Sequence, residues 1–156
     1  VGGSMHIATH AVGKLTLFFC AGAILDAAHK TEISDMRGLG RQMPLTMFAF
    51  LIGSLSIIGL PPFAGAWSKW YLVLGAIEAE HYFAVGVLVL SSLLNIAYLL
   101  PVAVSAFFPG DGESGGGVHE APLACLVPLL LTALACLALF LYPDPVLDLV
   151  RLIGEI

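Results

Sequence analysis

The sequence predicts an all-α fold, a polytopic transmembrane helix bundle with one discontinuous, broken helix. Three observations predict it. Of 156 residues, 59% are hydrophobic and only 11% are charged, against about 25% charged in an average soluble domain. That is too little charge to cover a water-facing surface, so lipid must be the solvent. Long apolar runs separated by short polar connectors fill the chain, and its mean hydropathy is +0.98. Inside one such run, "SIIGLPPFAGAWSKW" places Gly59, Pro61, Pro62 and Gly65 where a membrane helix would otherwise continue. Prolines remove backbone donors and interrupt the helical ladder.

Five apolar segments follow in order. The first (about Met5 to Ala28), the fourth (about Tyr82 to Phe108) and the fifth (about Leu123 to Tyr142) each approach or exceed the ~20 residues that cross ~30 Å of hydrocarbon. The second (about Leu45 to Leu60) and the third (about Phe63 to Ile77) are shorter. Length alone leaves two arrangements open: two tight crossings, or one long, tilted and broken crossing over 45–79. The fifth segment offers only Thr132 as a clear polar group and reads as a lipid-facing scaffold helix. The tail "PDPVLDLVRLIGEI" reads as a short amphipathic helix lying at the interface.

The connector "HKTEISDMRGLGRQMP" holds Lys30, Arg37 and Arg41, three of the six basic residues, and the positive-inside tendency makes it cytoplasmic. The loop "PGDGESGGGVHEAP" has neither Lys nor Arg and reads as a flexible, Gly-rich acidic link over 109–121. One broken crossing would put that loop on the cytoplasmic side as well. Two crossings would turn it outward, a count that Arg151 mildly favours. The start "VGGSMHIATHAVGK" has no initiator Met and no secretory leader pattern, so the chain reads as a piece of a longer protein.

Composition also excludes function classes. The net charge of −5 resembles no basic nucleic-acid surface, so no nucleic-acid partner is expected. Cys20, Cys125 and Cys136 lie in apolar runs without a C-x-x-C pair, which argues against a disulfide or metal framework.

The chemistry concentrates on two helices. His6, His10 and Lys14 recur at i, i+4 and i+8, so they share one face of the first helix. Thr9, Gly13 and Thr16 lie beside that stripe, whereas Leu15, Phe18 and Phe19 point largely away. Ionisable groups at membrane depth are costly and normally face a bundle interior or a hydrated cavity. Such a stripe is a candidate proton path. Two other readings stand beside it: snorkelling or packing hydrogen bonds, and a metal or haem held by His6 and His10.

At the break, Gly59, Pro61, Pro62 and Gly65 leave carbonyls near Ile57 to Leu60 without intrahelical partners. Free backbone is tolerated at that depth only where protein buries it or water lines it. Half-helices with freed ends recur as ion sites in transporters. Lys69 sits about two turns beyond, between Trp67 and Trp70. Spacing alone divides it evenly between a proton carrier and a snorkelling residue in an aromatic anchor. On the fourth helix Ser91, Asn95 and Tyr98 form a polar face suited to helix–helix hydrogen bonding, or to holding water on a conduction path. Glu78, Glu80 and His81 mark a water interface.

The runs "HAVGKLTLFFCAGAI", "DMRGLGRQMPLTMFAFLIGSLSIIGLPPFAGAWSKW" and "SSLLNIAYLLP" resemble the C-terminal part of the proton-translocating antiporter-like membrane subunits. These are shared by respiratory complex I (NADH-quinone oxidoreductase), membrane-bound hydrogenases and Mrp Na+/H+ antiporters. The "SKW" ending and the "HEAP…VP" lead resemble the Mrp D-type subunit most. The resemblance implies a bundle built from two inverted repeats, each with a broken helix, and it favours one broken crossing for 45–79. It implies that Lys69 is the terminal proton-exchange lysine, that His10 and Lys14 relay towards it, and that His6 occupies a further polar position. Residues 1–108 would be an incomplete second repeat, 109–121 a link, and 122–156 the last transmembrane helix with its tail. The first repeat is absent.

The expected function is therefore proton or Na+/H+ translocation through a half-channel of Lys and His residues. The expected setting is the lipid bilayer of a bacterial or archaeal inner membrane, among other membrane subunits of a multisubunit antiporter or redox pump. No cofactor or metal site and no covalent catalysis are expected in this chain. The competing reading is a structural scaffold subunit without ion flux.

Overall fold

The structure, a computed structural model, describes residues 1–108 and 117–154. Among them all regular structure is helical: α1 (Gly2–Ala28), a 3-10 turn (Ile33–Met36), the one-turn α2 (Leu39–Gln42), α3 (Pro44–Ile58), α4 (Gly65–Glu78), α5 (Tyr82–Ser105), α6 (Leu123–Leu141) and α7 (Asp144–Gly154). α1, α5 and α6 are each long and apolar enough to cross a membrane.

The break follows from the sequence residue by residue. α3 begins on Pro44, whose missing N–H is no loss in a first turn. It ends at Gly59, which takes a left-handed φ of 89° and donates its N–H to the Leu55 carbonyl at 3.0 Å. In a continuous helix, the Ile57 and Ile58 carbonyls would accept from residues 61 and 62. Both are prolines, joined here by a cis peptide bond, and neither has an N–H to give. The helix resumes at Gly65.

The order of contacts along α1 decides the crossing count. Starting from its C-terminal half, the Cys20 thiol reaches the Thr46 carbonyl at 3.5 Å. Thr16 and Leu17 lie on Gly53, and Gly13 lies on Ser56 and Ile57. His6 then bonds Ser68, and Gly2 packs on the backbone of Tyr71 and Leu72. As α1 is followed backwards, its partner advances steadily from 46 to 72. Two tight crossings would reverse that order at the break. Segments two and three are thus one antiparallel crossing in two halves, and the small residues Gly13, Thr16 and Gly53 allow the close approach.

α5 returns antiparallel: Ser92 meets Lys69, Leu99 packs with Ile57 and Ile58, and Ser105 and Ala106 meet Gly38 and Gly40. α6 then runs parallel to the broken helix. Glu120, just before it, meets Leu45 and Thr46; Cys136 accepts the Ala64 N–H; Phe140 meets Trp67. With α3–α4 counted as one pass, the described chain runs the length of the bundle four times, which puts residues 29–43, 106–108 and 117–122 at one end. Arg151 falls on the opposite side, so the two-crossing count it favoured is overturned.

Other expectations are adjusted. The third segment starts as a helix at Gly65 rather than at Phe63, because residues 61–64 form turns. The fourth ends at Ser105. α6 is more than a lipid-facing scaffold: Leu126, Leu129, Ala133 and Cys136 are buried in the core with Cys20, Ile24, Met43 and Met47. Its other face, including Val127, Leu131 and Leu134, is exposed. Thr132 bonds back to the Leu129 carbonyl of its own helix. α7 is amphipathic as expected, with Leu147 and Val150 buried and Leu149 and Leu152 exposed. The link expected over 109–121 lies outside the described residues from 109 to 116.

Candidate functional site

The break and α5 together build a site around Lys69. Its Nζ donates to the Ile58 carbonyl at 2.8 Å and to Ser92 Oγ at 2.8 Å. The first acceptor is one of the two carbonyls that Pro61 and Pro62 leave without an intrahelical donor. The lysine stem lies across Gly59, where a Cβ would stand 2.6 Å from the Lys69 Cδ. Gly59 therefore serves twice, as the left-handed end of α3 and as the floor under the lysine. A cavity of about 600 Å³ opens beside it, lined by Gly59, Pro61, Trp67, Lys69, Trp70 and Ser92 among others.

Trp67 departs from the aromatic-anchor reading. Its indole N–H donates to the Phe140 carbonyl at 3.0 Å, and its ring meets Tyr71 and Phe140. It fastens α4 to α6. Trp70 is exposed.

The His–His–Lys stripe of α1 divides between two neighbours. His6 Nδ1 lies 3.0 Å from Ser68 Oγ, and Ser68 donates to the Gly65 carbonyl at 3.1 Å. The His6 and His10 rings stack with centroids 5.0 Å apart. His10 and Lys14 line a second cavity of about 500 Å³ between α1, α3 and α5, shared with Ser91, Asn95 and Tyr98. Among the described residues no cluster of three or more His, Cys, Asp or Glu could hold a metal ion.

Asn95 and Tyr98 thus fall with His10 and Lys14, while Lys69 takes its α5 partner from Ser92. Adjacent helical residues point about 100° apart, so Ser91 and Ser92 look into different cavities. Ser92 and Ser68 are the two polar partners that the sequence reading missed. The Ser91-Ser92 pair was the available signal, because one of two consecutive serines must leave the face chosen for Asn95 and Tyr98.

Residues 2–95 match the family described as NADH:quinone oxidoreductase/Mrp antiporter, transmembrane. The chain belongs to this family. It is 37% identical over 159 residues to NADH-quinone oxidoreductase subunit N of Desulforudis audaxviator, covering 94% of this chain and 32% of that protein. It is also 36% identical over 143 residues to a Mycobacterium tuberculosis NADH-quinone oxidoreductase subunit L, covering 83% and 21%. The Mrp complex from a Dietzia species superposes with a TM-score of 0.81 at 23% identity, over 95% of this chain and 36% of that one. A chain of Thermus thermophilus respiratory complex I gives 0.74 at 23%, over 93% and 34%. The chain spans about a third or less of the curated relatives it matches. As a member of this family it is an integral membrane protein, and its α3–α4 pair is a discontinuous helix.

Proposed function

We propose that this chain forms one half-channel of an antiporter-like subunit and that Lys69 is its proton carrier. The observation that carries the reading is the bond from Lys69 Nζ to the Ile58 carbonyl freed by the double proline. An ammonium at membrane depth needs compensating acceptors, and the break supplies one while α5 supplies the other. When the lysine is neutral, the surrounding apolar cavity wall no longer has a charge to solvate. Protons pass through water between Lys14 and His10 in the cavity of α1, α3 and α5, and reach Lys69 past the stacked His6. Asn95 and Tyr98 hold water in that cavity. The break residues Gly59, Pro61, Pro62 and Gly65 keep the carbonyl free and the lysine close to it.

The parent protein works in a bacterial or archaeal inner membrane beside other membrane subunits, moving H+ with or without Na+. Neighbouring subunits bias the charge on Lys69 electrostatically. Residues 1–108 act as the translocating unit, and 122–156 support it.

Alanine at Lys69 or at Lys14 in the full-length parent tests this. Proton flux in membrane vesicles is expected to fall at least tenfold for Lys69→Ala, equivalent to ~1.4 kcal/mol or more in the barrier, with the amount of assembled complex unchanged. Normal flux with poor assembly would instead make the lysines scaffold residues. Ser92→Ala removes one of two acceptors from a charged donor, a bond worth roughly 1.5–3 kcal/mol. Flux is expected to drop about tenfold, and Ser92→Thr, which keeps the hydroxyl, is expected to retain most of it.

A further inference from the structure

The first half of the broken helix lacks a cap of its own. Met43 stands at the N-cap of α3 and has no side-chain oxygen, so the N–H of the second helical residue, Leu45, must find an acceptor elsewhere. Glu120 supplies it. One carboxylate oxygen accepts the Leu45 N–H at 2.6 Å, and the other accepts the Thr46 hydroxyl at 2.9 Å. Thr46 is fully buried and its carbonyl receives the Cys20 thiol of α1. The neighbouring backbone closes the same seam: the His119 N–H donates to the Gln42 carbonyl at 2.7 Å. On that side, Gly40 donates to the Ala106 carbonyl at the end of α5 at 2.8 Å. Connectors from α1, α5 and α6 are thereby laced around the start of α3.

At the opposite end of the same 15-residue helix, the Ile58 carbonyl holds Lys69. A carboxylate thus meets the N-terminus of α3 and an ammonium its C-terminus, both in the favourable sense of the helix dipole. We propose that Glu120 is a positioning residue for the transport site, holding the α3 half of the broken helix in register so that its free carbonyl stays against Lys69. Nothing reacts at Glu120 itself. It acts through hydrogen bonds, which an amide of the same shape can reproduce: the amide oxygen accepts from Leu45 and the amide nitrogen donates to the Thr46 hydroxyl. This inference rests on the half-channel reading for its effect on flux, but not for the cap.

The test uses the full-length parent in its membrane complex, with two readouts: amide hydrogen exchange of residues 45–48, and proton flux per assembled complex. Glu120→Ala is expected to speed exchange roughly fivefold, the scale of a lost helix cap, and to cut flux several-fold. Glu120→Asp, one methylene too short, is expected to follow it. Glu120→Gln is expected to restore both. Unchanged exchange in Glu120→Ala overturns the cap. Faster exchange with normal flux overturns the positioning role. Equal loss in Glu120→Gln and Glu120→Ala overturns the hydrogen-bond account in favour of the charge. If Glu120→Ala does not assemble, Thr46→Val removes one of the two bonds and is expected to give a smaller change in the same direction in both readouts; unchanged exchange there overturns the proposal. Undiminished flux in Lys69→Ala would sink the half-channel alone, leaving exchange to judge the cap.

Discussion

Lys69→Arg in the full-length parent is expected to reduce proton flux by about two orders of magnitude or more while leaving assembly near normal. Arginine keeps the positive charge, and its guanidinium has enough donors to satisfy both the Ile58 carbonyl and Ser92 Oγ. What it removes is the neutral state. The ordinary arginine pKa lies at least two units above that of lysine, so in the same surroundings the deprotonated form is at least ~100-fold rarer. A carrier that cannot release its proton cannot turn over. A lysine that only compensates charge or packs would be replaced by arginine at small cost. Flux measured by a pH-sensitive dye in vesicles, normalised to assembled complex, separates these outcomes. Near-normal flux in Lys69→Arg would end the role of Lys69 as carrier, whatever Lys69→Ala does, because alanine removes charge and proton together.

The fold class and the break were legible because their causes are local. Low charge forces lipid contact, and two adjacent prolines beyond the first turn of a helix leave two carbonyls without donors. Segment length did not give the crossing count, since segments of about 15 residues fit either a pair of tight spans or two halves of one, and only the family resemblance favoured one. Only the order in which α1 meets Thr46, Gly53, Ile57 and Ser68 resolves it. The stripe of His6, His10 and Lys14 was readable from helical spacing, but its surroundings were not. Spacing says that three side chains share a face, and it does not say that His6 meets Ser68 while Lys14 shares a cavity with Asn95 and Tyr98. Ser92 was passed over because a serine in an apolar helix carries little signal until a charged partner is brought to it. Glu120 was hidden by distance. Its partner lies 75 residues away, and its own loop reads as a polar link. The readable hint was at the other end, where Met43 and Pro44 begin a helix without a capping oxygen.

Gly65→Ala is expected to be the most damaging glycine-to-alanine change among the described residues. A Cβ at Gly65 would run into the Ser56 carbonyl oxygen, and the Gly59 Cα is also close. The obstacle is backbone, which cannot swing aside as a side chain can, so α4 must move away from the end of α3. Overpacking of this kind typically costs 1–3 kcal/mol, and at the break the movement falls on the site itself. Displacing α4 carries Lys69 away from the Ile58 carbonyl and Ser68 away from His6, two bonds of 2.8 and 3.0 Å that tolerate little separation. Flux is therefore expected to fall at least tenfold, beyond any loss of assembled complex, alongside a thermal transition lowered by several degrees. Gly75→Ala provides the control on the same helix. Nothing lies within 4 Å of a Cβ there, and alanine favours the helix by up to ~1 kcal/mol, so flux and stability are expected to be equal to or above those of the parent. If Gly65→Ala and Gly75→Ala behaved alike, close apposition of the two half-helices would not be what holds the lysine in place. The transport site would then have to depend on α5 and Ser92 alone.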